Sequence, residues 1–134
     1  MKVLDTDVCI EILRGNQHVI ECRRGILDRV VTTWITAAEL CYGAAKSMAP
    51  SHNLTLVQEL LASMPVLDMT MSAAEWFGRL KAELMRQGRM LADADLLIAG
   101  ITLAHGGTLV TGNLRHYERI RELGLEDWIR DGRG

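Results

Sequence analysis

The feature that most constrains this chain is the alternation of short β-branched runs with segments of helical periodicity. Lys2–Asp5 (KVLD), Val30–Ile35 (VVTTWI), Pro65–Leu67 and Thr108–Thr111 (TLVT) have strand character, because β-branched and aromatic side chains suit a pleated, half-buried surface. Between them, Val8–Arg14, Gln17–Arg29 (broken near Gly25), Thr36–Lys46, Leu54–Ala62, Ser72–Gln87 and Asp93–His105 carry apolar residues at helical spacing. Leu125–Ile129 adds a candidate edge strand. Gly15, Gly88 and the Gly106–Gly107 pair are suited to stop the helices they follow. Such alternation predicts an α/β fold: a three-layer α/β/α sandwich around a central, mainly parallel sheet. A length of 134 residues fits one domain over 1–134.

Charge and cysteine content narrow the function. Lys and Arg number 15 against 17 Asp and Glu, a net charge of −2. A protein that grips nucleic acid by bulk charge is usually basic, so any contact with phosphate needs another source of positive charge, such as a divalent cation. Cys9, Cys22 and Cys41 are odd in number and form no C-x-x-C pair, which argues against a disulfide framework or a zinc ribbon. Cys9 and Cys41 lie in apolar helical patterns and are expected to be buried thiols. No apolar run reaches the ~18 residues of a membrane span. A strand begins directly after Met1 with no signal pattern. The expected compartment is the cytosol.

In open parallel sheets, sites form at the carboxyl ends of the strands, and the acids fit that rule. Asp5 ends the first strand, Glu39 lies a helical turn after the second, Asp93 and Asp95 open a helix, and Asn113 follows the fourth strand. Two carboxylates ~5 Å apart at an effective dielectric of ~20 repel by about 3 kcal/mol. A cluster of them therefore calls for a cation, and oxygen-only donors suit Mg²⁺ or Mn²⁺. Each acid also has a structural explanation. Asp5, Asp7 and Asp93 can cap helices, and Thr36-x-x-Glu39 and Ser72-x-x-Glu75 have the form of capping boxes. Asn113 is a common turn residue. Asp95 is least easily explained by capping, since it precedes the apolar Leu96–Gly100 and needs a partner of some kind.

Four segments, in order, resemble the PIN-domain ribonucleases and specifically the VapC toxins of bacterial toxin–antitoxin pairs. They are Leu4-Asp5-Thr6-Asp7, the helix Thr36–Gly43 with Glu39-Leu40, Asp93–Ala99 with Asp95, and Leu109–Asn113 followed by Arg115-His116-Tyr117; Glu126-Asp127-Trp128 resembles the family's ending. The resemblance implies a Mg²⁺-dependent endoribonuclease with Asp5, Glu39 and Asp95 as metal-binding acids. It also implies an RNA substrate, a VapB-like antitoxin and a homodimer. The place where the family often has a fourth acid holds His116 here, which leaves Asp93 or Asn113 to complete the set. Excess apolar residues in Val8–Leu13 and Leu54–Met64 are compatible with an interface or with a thicker core. Arg86, Arg89 and Arg115 can meet RNA phosphates or simply be solvated.

Two alternatives remain open on sequence. Asp5-Thr6-Asp7-Val8 also fits the opening of haloacid-dehalogenase-like phosphatases, with Asp5 as nucleophile and Asp7 as general acid. That reading lacks a lysine after Asn113. The other is a non-catalytic interaction domain whose acids all cap helices.

Overall fold

The computed structural model describes residues 1–130. The chain runs β1 (Lys2–Leu4), α1 (Thr6–Leu13), α2 (Gln17–Gly25), β2 (Val30–Thr33), α3 (Trp34–Ala45) and α4 (Pro50–Ala62). It continues with β3 (Val66–Leu67), α5 (Met71–Arg86), α6 (Asp93–Ala104), β4 (Thr108–Val110), α7 (Leu114–Tyr117) and β5 (Gly124–Glu126). The strands form one sheet of order β3-β2-β1-β4-β5, and every pairing is parallel. Helices cover both faces, as the sequence predicts.

The two faces follow from the two-residue period of a strand. Val3 and Leu109 point to one side, where they pack with Leu80 and Leu84 of α5, Leu96 and Ala99 of α6, and Tyr117. Their neighbours Leu4 and Val110 point to the other, against Val8, Val19, Leu40, Val57, Leu60 and Trp128. The central strands β1 and β4 are thus apolar on both faces, as a buried parallel sheet requires. The most extensive helix–helix packing is between α5 and α6, and Gly100 makes their close approach possible. A Cβ at Gly100 would stand 2.8 Å from the Ala73 carbonyl oxygen and 3.4 Å from the Phe77 nitrogen. Gly100→Val should therefore force the helices apart and cost about 2–3 kcal/mol, read as a lower urea midpoint with an unchanged slope.

Several boundaries differ from the sequence expectation, each for a local reason. The second strand stops at Thr33 rather than Ile35, because the Thr33 hydroxyl caps α3 by accepting the Thr36 N–H at 3.2 Å. The Thr36–Glu39 box is not what starts that helix. Thr70, not Ser72, caps α5 through the Ala73 N–H at 3.1 Å. Asp93 lies inside α6, whose N-cap is Ala92 with no side-chain bond. Pro50 starts α4 four residues before Leu54, in keeping with the fixed φ of proline at a first helical position. The last strand is Gly124–Glu126 rather than Leu125–Ile129. Cys9 is buried as expected, but Cys41 is exposed. Helix α3 is apolar around most of its circumference, so periodicity does not reveal its outer side.

Candidate active site

Asp5 is the first residue after β1, at the carboxyl edge of the sheet, and is 4% exposed. Its Oδ1 accepts the Thr6 N–H at 2.9 Å and so caps α1. Its Oδ2 accepts the Thr111 hydroxyl at 2.8 Å from the end of β4. That hydroxyl in turn accepts the Asn113 N–H at 3.0 Å. The capping role read from the sequence is real, but it uses one oxygen of two.

Thr6 carries the network to α3. Its hydroxyl donates to Glu39 Oε1 at 2.6 Å and lies 3.1 Å from the Thr36 hydroxyl. Glu39 is thereby held toward the end of β1 from a different helix. Asp95, in the first turn of α6, receives a long bond of 3.3 Å from the Tyr117 hydroxyl. Asp95 is near enough to Asp5 to act on it through space. Burial, then the charge of Asp7, push the Asp5 carboxyl up to about 7; the Thr111 and Thr6 bonds lower it, and Asp95 adds a further upward push. Burial and the charges of Asp5 and Asp95 likewise push the Tyr117 phenol well up, so it stays a neutral donor.

Of the residues singled out in the sequence, Asp5 and Glu39 are therefore joined through Thr6, and Asp95, bonded to Tyr117, lies near enough to Asp5 to act on it by its charge. Asp93 does not join them. It faces outward, 61% exposed, in a 2.9 Å ion pair with Lys81. Asn113 sits beside Thr111, and its side chain makes no cap bond to α7.

Asp7 is more deeply involved than sequence reasoning suggests. Its Oδ2 accepts the Gly112 N–H at 2.9 Å, while Oδ1 is buried with no hydrogen-bond partner. Burial raises its carboxyl pKa. A Cβ at Gly112 would stand 2.9 Å from Asp7 Oδ2, so only glycine lets the turn after β4 close this tightly. The signal in the sequence is the i, i+2 spacing of Asp5 and Asp7, which helix capping also explains.

Among the described residues, no three acid, histidine or cysteine side chains already form a set able to grip a metal ion. The donor types nonetheless fit a hard divalent cation. They are carboxylate oxygens with hydroxyls beside them and no sulfur or imidazole. Burial first, and then the charges of Asp7 and Asp95, push the Asp5 carboxylate toward neutrality, a cost that a cation beside it relieves.

A PIN-domain family model matches residues 2–123. The chain belongs to the PIN-domain family. It is 39% identical over 127 residues to the tRNA(fMet)-specific endonuclease VapC of Salmonella typhimurium, covering 94% of this chain and 96% of that one. It is 34% identical over 128 residues to Ribonuclease VapC2 of Haemophilus influenzae, covering 95% and 97%. In three dimensions it is similar to VapBC2 from Rickettsia felis bound to a DNA fragment from its promoter, with a TM-score of 0.91 at 27% identity over 96% of this chain and 98% of that one. It is also similar to DNA-bound VapBC from Salmonella typhimurium, with a TM-score of 0.90 at 38% identity and the same coverage. The phosphatase alternative finds no support. The relatives are ribonucleases, and Asp7, its general acid, is committed to Gly112 with its other oxygen buried.

Proposed function

We propose that this chain is the ribonuclease toxin of a toxin–antitoxin pair, and that it hydrolyses RNA with a divalent cation, Mg²⁺ or Mn²⁺, held by Asp5, Asp95 and Glu39. The observation that carries this reading is the convergence of Asp5, at the end of β1, with Glu39, from α3, on one residue, Thr6, whose backbone N–H holds Asp5 and whose hydroxyl holds Glu39. When bound, the cation would lower the pKa of water and offset charge on the scissile phosphate.

The residues of the chain do the rest. Thr6 N–H and Thr111 Oγ1 fix both oxygens of Asp5, so its carboxylate cannot rotate away as substrate arrives. Thr6 holds Glu39 on the same rim, and Tyr117 steadies Asp95. Asn113, opposite on the β4 turn, can hydrogen-bond water or a phosphate oxygen through its amide. Without a cation the same acids repel RNA. A phosphate ~4 Å from one carboxylate at an effective dielectric of ~20 is opposed by about 4 kcal/mol. Substrate binding and chemistry thus share one requirement, and excess chelator should abolish both in an assay of RNA cleavage. Full activity in chelator would refute the reading. Asp93 serves only its Lys81 pair in this scheme.

Thr6→Val removes the link to Glu39 and keeps the backbone cap. It should weaken cation affinity about tenfold, in line with the usual cost of losing a group that orients a ligand. A magnesium titration of cleavage checks it.

Solved neighbours of this fold are toxin–antitoxin assemblies. A cleft of ≈ 590 Å³ between α1, α3 and α4 is our candidate seat for the antitoxin. Its walls include Ile10, Leu13, Tyr42 and Leu56, and it reaches Glu39, so an occupant would also block the acids. A homodimer fits the outer face of α5, where Met71, Ala74, Gly78, Ala82 and Met85 are exposed on one stripe. The protein would act in the cytosol, where its RNA is.

A further inference from the structure

Trp34 is a large aromatic left 52% exposed. It is the first residue of α3, immediately after the cap Thr33. Its neighbour Ile35 packs on the core, so Trp34 is the side chain at this turn that is turned outward. Position along the rim is what gives it meaning. The register sets Val3 opposite Val31 in adjacent parallel strands. The two strands therefore end at the same carboxyl edge of the sheet, β1 running into Asp5 and β2 into Trp34. Adjacent strands lie ~4.8 Å apart, and the 3.1 Å contact between the Thr6 and Thr36 hydroxyls shows that the start of α3 stays close to the acids. Helix α3 therefore starts beside the acids with Trp34 exposed, and little more than one turn later holds Glu39 on Thr6.

The charge balance leaves a task for such a residue. A net charge of −2 and an acidic rim mean that bulk positive charge does not hold the RNA at the acids. Stacking of a base on an aromatic face is independent of charge and contributes about 1–3 kcal/mol per base. It requires an unpaired base, which fits a strand open at the cut.

We infer that Trp34 is a substrate-positioning residue: its exposed indole stacks on an unpaired base of the RNA next to the scissile phosphate. This rests on the ribonuclease reading above and adds the strand's conformation to it.

The test compares wild type, Trp34→Ala and Trp34→Phe on a fluorescent single-stranded RNA dodecamer, and on a series of that RNA with one abasic nucleotide moved along it. KM and kcat come from cleavage, and Kd from anisotropy in Ca²⁺. Stacking predicts that Trp34→Ala raises KM and Kd about 5- to 150-fold with kcat changed less than threefold. Trp34→Phe recovers most of the loss. One abasic position should weaken wild type by a similar factor and leave Trp34→Ala no worse. Unchanged KM and Kd in Trp34→Ala would overturn the inference while leaving the ribonuclease reading intact. So would a penalty equal at every abasic position. A change in molecular mass on light scattering with KM unaltered would also overturn it, and would give Trp34 to a protein interface. If wild type fails to cleave, the ribonuclease reading falls by itself, and the Kd series still decides whether Trp34 stacks on a base.

Discussion

Asp5→Asn should lower RNA cleavage by about a thousandfold or more while making the metal-free protein more stable at neutral pH. The two effects have one cause. Asp5 is almost fully buried among Asp7 and Asp95, and its ionised form is costly there unless a cation stands beside it. The amide is nearly isosteric. Its oxygen can still accept the Thr6 N–H, and its nitrogen can donate to the Thr111 hydroxyl, which occupies the position of the other carboxylate oxygen. What the substitution removes is charge. Loss of several kcal/mol of transition-state stabilisation corresponds to 10³-fold or more in rate. Relief of the buried charge should raise the melting temperature in chelator by several degrees. A variant that loses activity through misfolding would melt earlier, so the pairing of the two results is diagnostic. Cleavage assays and scanning calorimetry on the same sample check it.

The second large effect is the response of stability to pH and metal. The Asp5 carboxyl lies at about 7 in the fold against an ordinary 3.8. A raised value means that the folded state holds its proton longer than the unfolded state does. The protonated form is therefore fully stabilising below the unfolded value, and that stability is lost as pH rises through the folded one. The metal-free protein should weaken between about pH 4 and pH 8. A shift of about three units at 1.36 kcal/mol each sets the loss near 4 kcal/mol for Asp5 alone. Asp7, also raised by burial, acts in the same direction. Millimolar Mg²⁺ or Mn²⁺ should flatten this slope and raise stability at high pH, by about 2.7 kcal/mol at a hundred times its dissociation constant. Melting curves from pH 4 to 8, with and without metal, measure it. A slope unaffected by metal would mean that no ion binds near Asp5.

Particular residues show what could be read from the sequence. The alternation of strands and helices, and the rule that sites lie at strand carboxyl ends, predict Asp5, Glu39, Asp95 and Asn113 on one edge; the structure joins Asp5 to Glu39 through Thr6 and sets Asn113 beside Thr111. The apolar run after Asp95 marks that acid as needing a partner, and the fold supplies the Tyr117 hydroxyl. Choices between close competitors were harder. Thr33 and Thr36 are both good caps, and so are Thr70 and Ser72; tertiary position decided between them. Glu39 looked like half of a capping box because its true partner, Thr6, is 33 residues away in sequence. Asp93 has the position of a substitute for the fourth acid in sequence, but the fold pairs it with Lys81 of α5. Asp7 was hidden by its chemistry. An aspartate at a helix start is so often a cap that its contact with Gly112, from the far end of the chain, leaves no local trace. Cys41 fell on the wrong side because α3 is apolar on more than one face.

The central claim is that acids from three separate elements share a divalent ion, and Mn²⁺ binding followed by electron paramagnetic resonance tests it most directly. Wild type should bind Mn²⁺, and Mg²⁺ should displace it. Asp5→Asn, Asp95→Asn and Glu39→Gln should each lose at least tenfold in affinity, whereas Asp93→Asn should bind as wild type does. Wild type that leaves millimolar Mn²⁺ free in solution, or three acid variants that bind as tightly as wild type, would contradict the account.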